Sequence, residues 1–249
     1  LVLNQYASKI GAHSLSGPRK ISIQTSLNNG IDPLAFFASD PSKTTLRELE
    51  LSPTVSEKAM RQMNVAVPSL ERLVVNNAVI PAVQFAEDNY TLKELLIEYV
   101  TRCSMAQPIQ KAYGLKKIDL SKCEYMTYCD YAFYDTGIEE VILGNQEFVK
   151  HGEHWLPLIQ KVSFIKNENS ITTFDVGGLK NQSLIKNVTI PSFVSWIDDS
   201  AFENCTALEE VIFEPTRFED YTGQISGRMR IENEAFKNCT SLKSLDFKS

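Results

Sequence analysis

The sequence predicts an α/β repeat fold: a right-handed solenoid with a parallel β-sheet along one wall and short helical or irregular return segments. Two observations predict it. The first is self-similarity: residues 196–213, WIDDSAFENCTALEEVIF, are nearly repeated at 231–247, IENEAFKNCTSLKSLDF. Both carry Ala-Phe-x-x-Cys-x-x-Leu, then an apolar residue three on and a Phe two beyond that, and a looser copy, YDTGIEEVIL, follows Ala132-Phe133. Internal similarity at a fixed period means stacked units, each contacting mainly its neighbours.

The second observation is a set of apolar columns. The first column runs Leu46, Leu70, Leu92, Leu115, Ile138, Ile159, Ile185, Leu208 and Leu242. Three residues on it becomes Leu49, Leu73, Leu95, Ile118, Val141, Val162, Val188, Val211 and Leu245. Two further it reads Leu51, Val75, Ile97, Leu120, Leu143, Phe164, Ile190, Phe213 and Phe247. Every position is apolar in a chain that is 43% hydrophobic overall, which chance does not produce. Units begin 24, 22, 23, 23, 21, 26, 23 and 34 residues apart, the leucine-rich repeat period.

The last two columns sit at i and i+2, so they share one face of a short strand. Each strand is too short to stand alone, and stacking builds the wall with strands about 4.8 Å apart. The Ala-Phe half returns the chain and fills the core from the opposite side, with Phe202 and Phe236 expected to be buried. So short a return leaves room for one or two helical or 3₁₀ turns rather than a long helix.

In chain order, residues 1–45 read as an irregular N-terminal cap or degenerate repeat, with KISI at 20–23 a worn strand. Residues 46–249 read as one continuous solenoid domain of about nine repeats. Within it, 46–114 keep the strand columns without the Ala-Phe-x-x-Cys half. Two insertions interrupt the period, 144–157 and PTRFEDYTGQISGRMR at 215–230. Insertions in solenoids loop out on one face, often the binding face. Phe218, Tyr221, Arg217, Arg228 and Arg230 give the second the content of a contact hot spot, or of a plain hairpin.

The arrangement resembles the BspA-like, or treponemal-type, leucine-rich repeat family. The resemblance rests on 188–213, on 231–247 and on LKKIDLSKCEYMTYCDYAFYDTGIEEVIL at 115–143, including Ile190-Pro191 after the strand. It implies a secreted or surface-attached protein, commonly of mouth or gut bacteria, with some members implicated in adhesion. It implies no catalytic residue and no cofactor.

A net charge of −6 argues against a nucleic-acid partner, which wants a basic patch. No run of roughly 18 apolar residues marks a membrane span. LVLNQYASKIGAHS has neither the charged start nor the long apolar centre of an export signal, so the sequence reads as a mature or trimmed chain. An extracellular or surface location is the expectation.

Facing outward beside the columns, Glu48, Arg72, Glu94, Lys117, Glu140 and Lys161 alternate in sign. Stacked strands would turn them into a ladder of opposite charges, read either as a self-paired, solvated face or as a charged ligand site. Between the last two columns lie outward positions that are partly apolar. Val74, Leu96, Ile142 and Ile212 there, with Phe218 and Tyr221 of the insertion, are the candidate contacts for a protein or glycan partner.

Five cysteines leave at least one thiol free. Cys205 and Cys239 occupy equivalent positions and read as small buried hydrophobes, with a disulfide between them as the alternative. Cys123 and Cys129 are the better-placed redox pair. His151, Glu153 and His154 gather in one segment, but His-x-x-His in a loop is weak as a metal site, and no metal is expected. Asn-x-Ser/Thr occurs at Asn89, Asn181, Asn187, Asn204 and Asn238, two of them by-products of the Asn-Cys-Thr turn. The leading reading is a non-enzymatic surface binding protein; the alternative is a structural spacer or self-assembly module.

Overall fold

The computed structural model describes residues 1–4, 6–98, 102–103, 108–122, 131–144, 156–165, 179–194, 196–215, 218–219, 225–226 and 229–248. The nine expected wall strands are all present. They are Glu48–Leu51, Arg72–Val75, Glu94–Ile97, Lys117–Asp119, Glu140–Leu143, Lys161–Phe164, Asn187–Ile190, Glu210–Phe213 and Ser244–Phe247. All pair in parallel, and the second apolar column pairs with itself: Leu49 with Leu73, Leu73 with Leu95, Ile118 with Val141, Val141 with Val162.

Two further strands lengthen the wall. Lys20–Ile23 pairs with Glu48–Leu51 in the same register, and Val2–Leu3 pairs with Ser22–Ile23. KISI is therefore a wall strand, with Ile21 and Ile23 fully buried. The wall falls into an eight-stranded sheet ending at Lys161–Phe164 and a three-stranded sheet beginning at Asn187–Ile190. These two strands pack side by side without sharing a ladder.

The return side is made of short turns as expected, with several short strands added to them. Among the described residues there is one α-helix, Glu57–Gln62, and one 3₁₀ turn, Pro41–Lys43. Ser56 caps the helix by accepting from Ala59 N–H at 3.3 Å. Elsewhere the return combines tight turns, as at 199–204 and 233–238, with short strands. Val83–Gln84, Ile109–Ala112 and Asp135–Thr136 form a second parallel sheet, Val79–Ile80 pairs with Arg102–Cys103, and Trp196–Ile197 pairs with Arg230–Ile231. The physical reason is composition: Val79, Ile80, Val83, Ile109 and Thr136 are β-branched and prefer a pleated, half-buried surface.

The core lies between wall and return. Phe202 is fully buried and stacks on Phe236 with ring centroids 5.2 Å apart. Phe236 corrects its expectation, because it is only half-buried. It sits in the unit of the edge strand Ser244–Phe247, so only one of its faces meets another repeat. The same position leaves the inward column of that strand uncovered, with Leu245 41% and Phe247 56% exposed.

Several backbone groups on the return side are satisfied between units. Ser200, Phe202 and Asn204 donate their N–H groups to the carbonyls of Asn233, Ala235 and Lys237 at 3.0, 2.8 and 2.8 Å. Asn181, Asn204 and Asn238 adopt positive φ of 66°, 62° and 58°, a conformation asparagine tolerates better than most residues. Their side chains form an amide ladder: Asn204 Nδ2 donates to Asn181 Oδ1, and Asn238 Nδ2 to Asn204 Oδ1, both at 2.8 Å. The Asn-Cys-Thr turn thus has a structural use in which the Nδ2 atoms of Asn204 and Asn238 are already engaged.

Candidate binding surface

The outward face of the wall is built by register. In the eight-stranded sheet Ser22, Glu50, Val74, Leu96, Asp119, Ile142 and Ser163 are successive partners across the strands. In the three-stranded sheet Thr189, Ile212 and Asp246 are. Val74 and Leu96 therefore stand side by side. Asp119 separates Leu96 from Ile142, and Ile212 lies in the other sheet. Val74 is only 7% exposed, whereas Leu96, Ile142 and Ile212 are half-buried. Phe218 belongs to a backbone hairpin in which Phe218–Glu219 pairs antiparallel with Ile225–Ser226. Tyr221 lies outside the described residues, as do Cys123, Cys129, His151, Glu153 and His154.

The charge column pairs largely with itself. Lys20 reaches Glu48 at 2.7 Å, Arg72 reaches Glu94 at 2.9 Å, and Glu140 takes both Lys117 at 2.8 Å and Lys161 at 3.2 Å. The adjoining column adds Arg47 to Glu71 at 3.2 Å and Lys116 to Glu139 at 2.7 Å. The hydrogen bond from Lys117, and then that from Lys161, hold the Glu140 carboxyl below its ordinary value against the opposing effect of burial. Its contribution to stability is therefore present at neutral pH and is lost as pH falls through the lowered folded value. Lys117→Glu puts a third acid beside Glu94 and Glu140. It should cost about 1 kcal/mol in chemical denaturation at low salt and less at high salt, because exposed pairs are weak and screened.

Cys205 and Cys239 are free thiols. Cys205 Sγ donates to Leu179 O and Cys239 Sγ to Phe202 O, both at 3.1 Å, so each thiol ties its unit to the one before. Burial pushes the Cys205 thiol up to about 12, which removes the nucleophilic thiolate. In the native protein at pH 8, iodoacetamide should label Cys239, which is half-buried, faster than Cys205. Denatured, unreduced protein should release three or more thiols including both; a mass consistent with a Cys205–Cys239 bond would contradict this.

A second surface lies on the flank, where the return meets the wall. Tyr90 and Tyr113 rings lie 6.1 Å apart, and Tyr131 and Tyr134 meet edge to face at 6.0 Å. Tyr113 Oη donates to Asp135 Oδ1, and Lys111 N–H donates to Asp135 Oδ2 at 3.1 Å. Lys111 has φ 58°, and the pairing of 109–112 with 135–136 shifts register there. The hydrogen bond to Asp135 pushes the Tyr113 hydroxyl up to about 12. The repeat alignment did not find this flank, because its tyrosines fall outside the three apolar columns.

Among the described residues no group of three His, Cys, Asp or Glu side chains is placed to hold a metal ion, and no helix is long and apolar enough to cross a membrane. The model of the BspA-type leucine-rich repeat region, in six copies, matches residues 110–209 and 210–249, more than half of the 249 residues. The chain belongs to the BspA-type leucine-rich repeat family. No curated protein matches this BspA-type chain. Among solved structures it is similar to a leucine-rich cell surface protein from Faecalibacterium prausnitzii A2-165. That likeness has 12% identity over 97% of this chain and 83% of the other, with a TM-score of 0.36. It is also similar to a leucine-rich repeat protein from Bacteroides ovatus ATCC 8483, with 13% identity over 98% and 86% of the two chains and a TM-score of 0.26.

Proposed function

We propose that this BspA-type protein is a non-enzymatic, adhesin-like binding protein, secreted or held at the cell surface, that recognises a protein or glycan through the outer surface of its solenoid. The observation that carries the reading is the outward column of the wall. Its flanking charges are largely neutralised by neighbouring strands, while Leu96 and Ile142 stay partly open in one row. Repeat stacks of this kind commonly serve as extended binding surfaces. The family supports the surface location, and the 215–230 insertion, whose sequence carries Phe218 and Tyr221, supplies a second contact element.

The test is capture of extracellular-matrix proteins and an array of glycans by immobilised protein, compared with Leu96→Asp/Ile142→Asp. Loss of a captured ligand in the variant, at unchanged melting temperature, supports the reading. Equal capture by both would remove the column as the contact. The second reading is a spacer or self-assembly module, favoured by the uncovered Leu245 and Phe247. Concentration-dependent sedimentation abolished by Phe247→Glu would favour it.

A further inference from the structure

We propose that the tyrosine flank formed by Tyr90, Tyr113, Tyr131 and Tyr134 with Glu87 and Asp88 is a docking site for a Lys/Arg-rich segment of a protein partner. The inference rests on the surface-binding reading above and gives it a second place and a partner chemistry.

Three observations lead to it. The first is a cluster of exposed aromatic rings, two of its ring pairs in contact. Tyr90 is 62% exposed, Tyr134 48% and Tyr131 39%. Tyrosine offers large, rigid, amphipathic contact area at low entropic cost. The second is continuity: Tyr90 packs against Tyr113, Tyr113 is hydrogen-bonded to Asp135, and Asp135 follows Tyr134 directly. The bulge at Lys111 holds this arrangement, and bulges of this kind re-aim side chains.

The third observation chooses the partner. On the wall Glu48, Glu71, Glu94, Glu139 and Glu140 each hold a cation. Glu87 and Asp88 are exposed and, among the described residues, make no ion pair, yet Asp88 lies close enough to act on the Tyr113 hydroxyl. Lys111, on the flank, spends its ammonium on Ala86 O at 2.6 Å. Uncompensated carboxylates beside exposed ring faces are the chemistry that attracts lysine and arginine, by charge and by cation–π contact. The same carboxylates repel sulfated or sialylated chains.

The test is calorimetric titration of the full chain with nona-arginine, nona-lysine and a neutral hexasaccharide at low and high salt. Nona-arginine and nona-lysine should bind and weaken with salt. Glu87→Gln/Asp88→Asn and Tyr90→Ala should each weaken binding about tenfold or more. Tyr90→Phe, which keeps the ring, should change it less than about threefold, and Glu48→Gln on the wall should leave it unchanged. Glu87, Asp88 and Tyr90 are exposed, so an unchanged melting temperature separates binding from folding. Equal binding by the flank variants would overturn the proposal, leaving only general attraction to an acidic protein. Capture of the neutral hexasaccharide in place of the basic peptides would overturn it too. A ligand lost in Leu96→Asp/Ile142→Asp but kept in the flank variants would sink this site and leave the surface-binding reading standing.

Discussion

Phe202→Ala should lower the unfolding free energy by about 3–5 kcal/mol, the cost of emptying a buried aromatic site that cannot collapse. Phe202 is fully enclosed, stacked on Phe236, and its N–H and carbonyl are tied to the next unit through Ala235 O and Cys239 Sγ. The backbone on both sides is thus pinned, which prevents closure of the cavity. Phe236→Ala should cost less, about 1–3 kcal/mol, because the ring is half-exposed and part of its surface is wet in both states. Equilibrium denaturation of the two variants measures the difference. Equal losses would mean that the two phenylalanines do not occupy an interior and an edge repeat.

Gly114→Ala should be the next most damaging change, at about 1–3 kcal/mol, for the opposite reason. A Cβ there would lie 2.5 Å from Leu92 O and 2.7 Å from Tyr90 O. These are backbone atoms of the preceding unit, so no side chain can swing away, and forcing extra atoms into a packed site typically costs this much. Gly137 is placed in the same way over Tyr113 O. The pair marks where successive units approach too closely for any side chain. Thermal melts of Gly114→Ala and Gly137→Ala check this, and a loss below about 0.5 kcal/mol in both would contradict the inter-unit spacing.

The wall was legible in the sequence because its signal is repeated. A single Leu-x-x-Leu-x-Leu is weak, but nine aligned copies place each strand, and Leu49 through Leu245 fall where the columns put them. The charge ladder was legible for the same reason, since in-register stacking turns an alternating column into neighbours. Lys20–Ile23 was harder to read because the apolar column before it is lost, although its register with Glu48–Leu51 is intact.

The return side was less legible. Its path depends on inter-unit hydrogen bonds, such as Asn204 N–H to Lys237 O, that leave no periodic trace except the asparagines themselves. The burial of Val74 was missed because an outward position is not necessarily an open one: its partners across the strands are Glu50 and Leu96, both half-buried. The tyrosine flank was invisible for a related reason. Tyr113 and Asp135 are 22 residues apart, and only stacking brings them together.

The central claim is that successive units stack in register along one wall, so the most direct measurement is a distance along it. Glu50 and Ser163 occupy one outward column with Val74, Leu96, Asp119 and Ile142 between them. Five strand steps of about 4.8 Å place the two backbones about 24 Å apart. Spin labels at Glu50→Cys and Ser163→Cys, in a background lacking the native cysteines, should give one narrow distance distribution near that value, allowing for the label arms. A broad distribution, or a maximum beyond about 40 Å, would contradict in-register stacking and the surface built on it.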